Sequence, residues 1–175
     1  MKPIKAERKT VIFFDGLTVD GYRMPDGEFR VGMTGAGKVL GYGPEWLGRV
    51  LSRGGNTLKA LRGLGFTEEI EKVATNAGRR PETISLRDFN RLISYAVFDG
   101  KTAALALQLA LTELALTDFF RDSFGEQPLS IDEKRRLFYE AYAATISPED
   151  WRQMDREEIL KLALAEDEEK FQESL

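Results

Sequence analysis

Val31-Gly-Met-Thr-Gly-Ala-Gly-Lys-Val-Leu-Gly-Tyr-Gly-Pro-Glu-Trp-Leu-Gly-Arg-Val-Leu51 admits two readings that lead to different folds. Gly32 to Lys38 fits G-x-x-x-x-G-K, the loop that cradles phosphates in nucleotide-binding domains. The same residues also read as two short helices broken at Gly41-Tyr-Gly43, the outline of a helix-turn-helix. The phosphate loop needs a Ser or Thr hydroxyl after its lysine to hold Mg²⁺, and Val39 stands there. It also needs a buried strand before it and several βαβ units after it. Phe29-Arg-Val31 alternates rather than running apolar, and the second half of the chain reads as helix only. The helical reading is therefore preferred, with a nucleotide-binding loop as a second alternative.

Working outward, the residues before this stretch suggest a small antiparallel sheet. Residues 1–9 read as a flexible, weakly basic lead. Thr10 to Phe14 is β-branched and aromatic, Asp15-Gly16 turns the chain, and Leu17 to Val19 resumes pairing. Tyr22 to Val31 forms a hairpin about Pro25-Asp-Gly27, with Tyr22, Met24, Phe29 and Val31 inward and Arg23 and Arg30 outward. Within the central stretch, Thr34 is the expected N-cap, Gly41 the C-cap, and Pro44 the first turn of the second helix.

Gly54-Gly55 ends that second helix. Thr57 to Leu64 forms another, with Leu58 and Leu61 inward and Lys59 and Arg62 outward. Phe66 to Ala74 admits a helix through Ile70 and Val73, but a hairpin is preferred, pairing a strand from Ile70 to Thr75 with Thr83-Ile-Ser85 across the loop Asn76 to Pro81. Ser85-Leu-Arg-Asp88 has capping-box spacing, and Leu86, Phe89, Leu92, Ile93 and Ala96 recur at helical spacing up to the break at Asp99-Gly100. Lys101 to about Phe120 is a helix apolar on most faces, expected to be buried on several sides with Leu109 in the core. Ser130 to Glu133, Ser147 to Asp150 and Asp155 to Glu158 each place an acid three residues after a cap, predicting helices at 131–144, 148–153 and 156–165.

Composition narrows the chemistry. There is no Cys and no His, so thiolates, disulfides and the commonest general base are excluded. The acids crowd helix starts, where capping and the helix dipole account for them, and no catalytic residue, metal site or cofactor is expected. The polar start and the polar interruptions of the Thr102 to Leu116 run predict a soluble cytoplasmic protein without a membrane span. The net charge of −4 conceals an asymmetry: residues 1–91 hold 16 Lys+Arg against 11 Asp+Glu, and residues 92–175 hold 9 against 18. A basic half joined to an acidic half suggests two surfaces with different partners.

Phe29-Arg-Val31 leading into Lys38-Val-Leu-Gly-Tyr42, then Arg49-Val-Leu51, the loop around Gly78, and Thr83-Ile-Ser-Leu-Arg-Asp-Phe-Asn-Arg-Leu-Ile93 before the long helix form a recognisable order. In that order the chain resembles the phage and plasmid antirepressor-type modules of the BRO-N/KilA-N kind, over residues 10–124. It departs from them in lacking the tryptophan and proline that often close the last helix, and the tail from 126 has no counterpart. The resemblance implies a DNA-binding transcription regulator, and leaves open one that binds another repressor.

The expected fold is therefore α+β, with residues 1–125 as a DNA-binding domain and 126–175 as an acidic helical extension. Arg49, Arg53, Asn56, Lys59 and Arg62 lie on or after the second short helix, and Arg79-Arg80 on the hairpin loop could act as a wing. Arg and Lys neutralise phosphates, and Arg and Asn are the types that read guanine and adenine edges. Double-stranded DNA is the expected partner and a homodimer the expected state. The alternative is an antirepressor or adaptor acting by protein contact through the acidic tail, without DNA.

Overall fold

The computed structural model describes residues 4–146, which form an α+β fold. The strands are β1 (Ile4–Lys5), β2 (Glu7–Phe14), β3 (Leu17–Arg23), β4 (Phe29–Gly32), β5 (Glu71–Ala74) and β6 (Glu82–Ser85). The helices are α1 (Met33–Val39), α2 (Trp46–Arg53), α3 (Asn56–Gly63), α4 (Leu86–Phe98), α5 (Thr102–Ser123) and α6 (Ile131–Thr145). The expected helices at 148–153 and 156–165 lie outside the described residues.

All six strands join one sheet in the order β1-β5-β6-β4-β3-β2, antiparallel except where β1 runs parallel to β5. Only Ala6 separates β1 from β2, yet these strands sit at opposite edges. The sheet therefore curls until one continuous stretch of chain joins its two edges. Ala6, Tyr22, Met24 and Val73 meet inside the curl as a small apolar cluster. The expected loose lead is thus partly strand: main-chain pairing to β5, continued by Ala6 N–H donating to Ala74 O at 3.1 Å, holds residues that carry little apolar surface of their own.

The other side of the sheet carries the main core. Phe14, Leu17, Val19, Val31 and Ile84 meet Met33, Leu47, Leu61, Phe89, Leu92, Leu107, Phe138 and Tyr142 there. Phe14 stands 5.2 Å from the Tyr142 ring, so α6 shares this core. Its Ser130 cap is a complete capping box with Glu133. At α4 only half the box forms. Ser85 Oγ accepts from Asp88 N–H, but the fully buried Asp88 carboxylate accepts instead from Thr67 N–H at 3.0 Å and Thr67 Oγ1 at 2.7 Å. That pairing ties the segment after α3 to the start of α4.

Several expectations are corrected. The helix at Met33 begins without the Thr34 cap, behind Gly32, and Gly41 follows the Leu40 cap with φ at 90°. Gly35, Ala36 and Gly37 are helical residues of α1, which starts directly behind β4 at Gly32, so no glycine loop stands between strand and helix. Pro44 lies ahead of α2, whose cap is Glu45. Most of α1 is buried, so the exposed helix pair is α2 with α3 rather than α1 with α2.

The β4 strand is buried on both faces rather than alternating: Val31 lies in the core as expected, but Arg30 is buried too and Phe29 is open. Arg30 is 3% exposed and Phe29 58%. Arg30 Nε donates to Thr83 Oγ1 at 2.8 Å, and its Nη2 donates to Glu69 O at 2.8 Å and Thr83 O at 3.0 Å. These partners make the buried guanidinium tolerable. Phe29 and the half-exposed Leu86, also expected inside, both line an open groove instead. On α5 the buried residues are Ala103, Ala104, Ala106, Leu107 and Ala110, while Leu109 is 46% exposed, so the core leucine is Leu107. This helix has the length and mean hydropathy of a membrane span, yet that alanine side is buried within the fold.

Candidate nucleic-acid interface

Two glycines set the geometry of the exposed helix pair. Gly54 and Gly55 both have positive φ, at 66° and 86°, a region that side chains with a Cβ avoid. Gly54 N–H closes α2 on Val50 O, and Lys59 N–H opens α3 on Gly55 O, each at 3.1 Å. The turn between the helices is therefore only two residues long. Leu47 and Val50 of α2, with Leu58 and Leu61 of α3, fix the inner side. Behind α2, Trp46 stacks on Tyr42 with ring centroids 3.9 Å apart, and Tyr42 Oη donates to Asp99 at 2.6 Å. Burial first, and then the Asp99 carboxylate, push the Tyr42 phenol far above its usual range, so it stays a neutral donor. Trp46 is engaged inside the protein, as a structural rather than a base-stacking role requires.

The outer face of α3 carries Asn56, Lys59, Ala60 and Gly63, spaced i, i+3, i+4, i+7 and all exposed. Two of these are small, so the helix backbone can come close to a partner. A Cβ placed on Gly48, Gly54, Gly55 or Gly63 would meet nothing within 4 Å, so the surface is open along both helices. No side chain caps α3, so its first N–H groups have no side-chain acceptor at the Gly55 turn. Arg53, Asn56 and Lys59 make no side-chain hydrogen bond or ion pair among the described residues. No family model, curated protein or solved structure matches this chain.

The other expected site residues are less free. Arg49 is half-buried and already has an interaction partner. Arg62 is held in a two-pronged pair with Glu68, Nε to Oε2 at 2.6 Å and Nη2 to Oε1 at 3.0 Å. That hydrogen bonding holds the Glu68 carboxyl below its usual range and raises the Arg62 guanidinium. Arg79 and Arg80 are exposed on the loop between β5 and β6, whose tip is closed by Gly78 N–H on Thr75 O. Glu68 lies before β5 and the loop after it, so that strand separates the arginine pair from the Arg62–Glu68 pair.

A second concavity escaped the sequence reading. A groove of about 620 Å³ opens between the outer face of β2, β3 and β4 and the helices α4 and α5. Val11, Phe13, Phe29, Leu86, Ile93 and Leu111 line it, with Lys9 and Arg23 among the few polar residues. Gly21 sits mid-strand in its wall, where a Cβ would come within 2.7 Å of Val11 Cγ2. A glycine inside a strand marks such close approach, and Gly21 was the available signal.

Proposed function

We propose that this chain is a duplex-DNA-binding transcription regulator of the phage and plasmid antirepressor kind, with α3 as its reading helix. One observation carries the proposal: Lys59 shares the open, small-residue face of α3 with Asn56, and Arg53 ends α2 just before the Gly54-Gly55 turn, with no carboxylate neutralising either cation among the described residues. The order of elements that resembles BRO-N/KilA-N modules supports the same reading. On this proposal Lys59 and Arg53 contact phosphates and Asn56 pairs with adenine N6 and N7 in the major groove. Ala60 lies on the same face, where it can touch a thymine methyl. Arg79 and Arg80 contact the backbone a strand's length away. Arg49 supports α2, and Arg62 contributes less because Glu68 already holds it.

Full-length protein titrated into labelled random-sequence duplex tests this. Binding is expected at about 50 mM salt, falling with log salt, and Arg53→Ala or Lys59→Ala should each reduce the slope by about 0.9. Asn56→Ala should leave the slope alone and cost about 1–3 kcal/mol on a selected site. Absence of binding at low salt, or slopes indifferent to both cation variants, would overturn the proposal in favour of an adaptor that works by protein contact.

A further inference from the structure

The α5 helix buries one side and leaves the opposite side apolar and open. Leu105, Leu109, Leu116 and Phe119 are all exposed, with Phe120 beside them and Phe124 just past the helix end. With Thr112 they advance by four, three, four and three residues, the spacing of a coiled-coil seam. At 100° per residue this seam lies directly opposite Ala103, Leu107 and Ala110. The six apolar side chains expose on the order of 700 Å² per protomer, near the roughly 800 Å² that each partner contributes to a standard stable interface. A patch of that size exceeds what most monomers leave open.

We propose that this seam is the twofold interface between two copies of the chain, with the α5 helices antiparallel and the axis passing at Thr112. Two seam residues lie on each side of that residue, and the outer two, Leu105 and Phe119, are each seven positions from it. Leu109 of one copy then faces Leu116 of the other, and Leu105 faces Phe119 and Phe120. The bulky phenylalanines sit at one end of the seam and the smaller leucines at the other, so antiparallel pairing sets large against small. Parallel pairing would crowd the phenylalanines together. Antiparallel helices also oppose their dipoles favourably. Phe98, 80% exposed at the end of α4, lies at the end where the second copy's Phe124 arrives.

The chain has no cysteine, so one introduced thiol reports on one place. Sedimentation of the full chain at tens of micromolar should give twice the 19.7 kDa chain mass. Leu116→Asp and Phe119→Asp, both at exposed positions, should keep the parental circular dichroism and weaken association about 100-fold or more. Thr112→Cys should couple to its own copy through a short bismaleimide. Leu105→Cys mixed with Phe119→Cys should couple more than either variant alone. A chain that sediments as a monomer overturns the proposal: rapid thiol labelling at position 112 would then mean an open seam, and slow labelling a seam covered by residues 147–175. A dimer that ignores both aspartates, or in which Cys at 112 never couples, places the interface elsewhere and overturns it too.

Discussion

Replacing Arg30 by Ala tests whether the curled sheet depends on one buried cation. Its guanidinium donates to Thr83 Oγ1, Thr83 O and Glu69 O, and its Nη1 reaches Glu28 Oε1 at 3.1 Å. Glu28 is largely exposed, so that pair contributes little. The three contacts to uncharged oxygens are charge-assisted, each contributing about 1.5–3 kcal/mol, but removing the cation also relieves its own desolvation. What remains is the loss of packing and the unmet Glu69 and Thr83 carbonyls, a net cost of about 3 kcal/mol. For a domain of this size that lowers Tm by roughly 6–12 °C. Arg30→Met separates the causes. If packing dominates, Met restores most of the stability; if the orphaned carbonyls dominate, Met is as damaging as Ala. The second result is expected, and Arg30→Lys should fall between, since an ammonium keeps the charge but not the planar fork. Urea unfolding followed by far-ultraviolet circular dichroism reads all three. An Arg30→Ala protein within about 0.5 kcal/mol of the parent, a change typical of surface sites, would refute the reasoning.

Two further outcomes are expected from the same geometry. Leu107→Asp, at a fully buried position, should cost more than about 4 kcal/mol and leave the protein insoluble, whereas Leu109→Asp should fold and instead weaken self-association, which expression trials and sedimentation distinguish. Glu68→Gln should release Arg62 and raise affinity for all duplexes alike. Because the folded pKa of Glu68 is depressed, its pair with Arg62 is present above the usual glutamate range and is lost as pH falls through the lowered value, so the parent should approach the variant's affinity only below that range, as binding titrations across pH would show.

Local signals in the sequence were reliable where the deciding partner lay close by. The Pro25-Asp-Gly27 hairpin, the Gly54-Gly55 stop, the inward Leu58 and Leu61, and the Ser130 capping box all formed as their spacing implies. Two failures, at Arg30 and at β1, share a physical cause, which is a partner far along the chain. Arg30 turns inward because carbonyls at Glu69 and Thr83 await it, and β1 forms because β5 offers an edge. Of the expected site residues, exposure was legible for Arg53, Asn56, Lys59, Arg79 and Arg80. The engagement of Arg62 was not, because Glu68 reaches it only after the chain turns at Leu64-Gly65.

The long helix failed for another reason. A helix apolar on most faces has little hydrophobic phase, so hydrophobicity alone could not separate its core face from its seam. Residue size does separate them. The buried side is mostly alanine, Ala103, Ala104, Ala106 and Ala110, where sheet and helices come close, while leucine and phenylalanine dominate the open side. Small residues mark where neighbours within the fold press against the helix, and large ones mark a surface that still has space to fill. Read by size, the same sequence puts Leu109 outside, on the side of α5 opposite the alanines that pack into the fold.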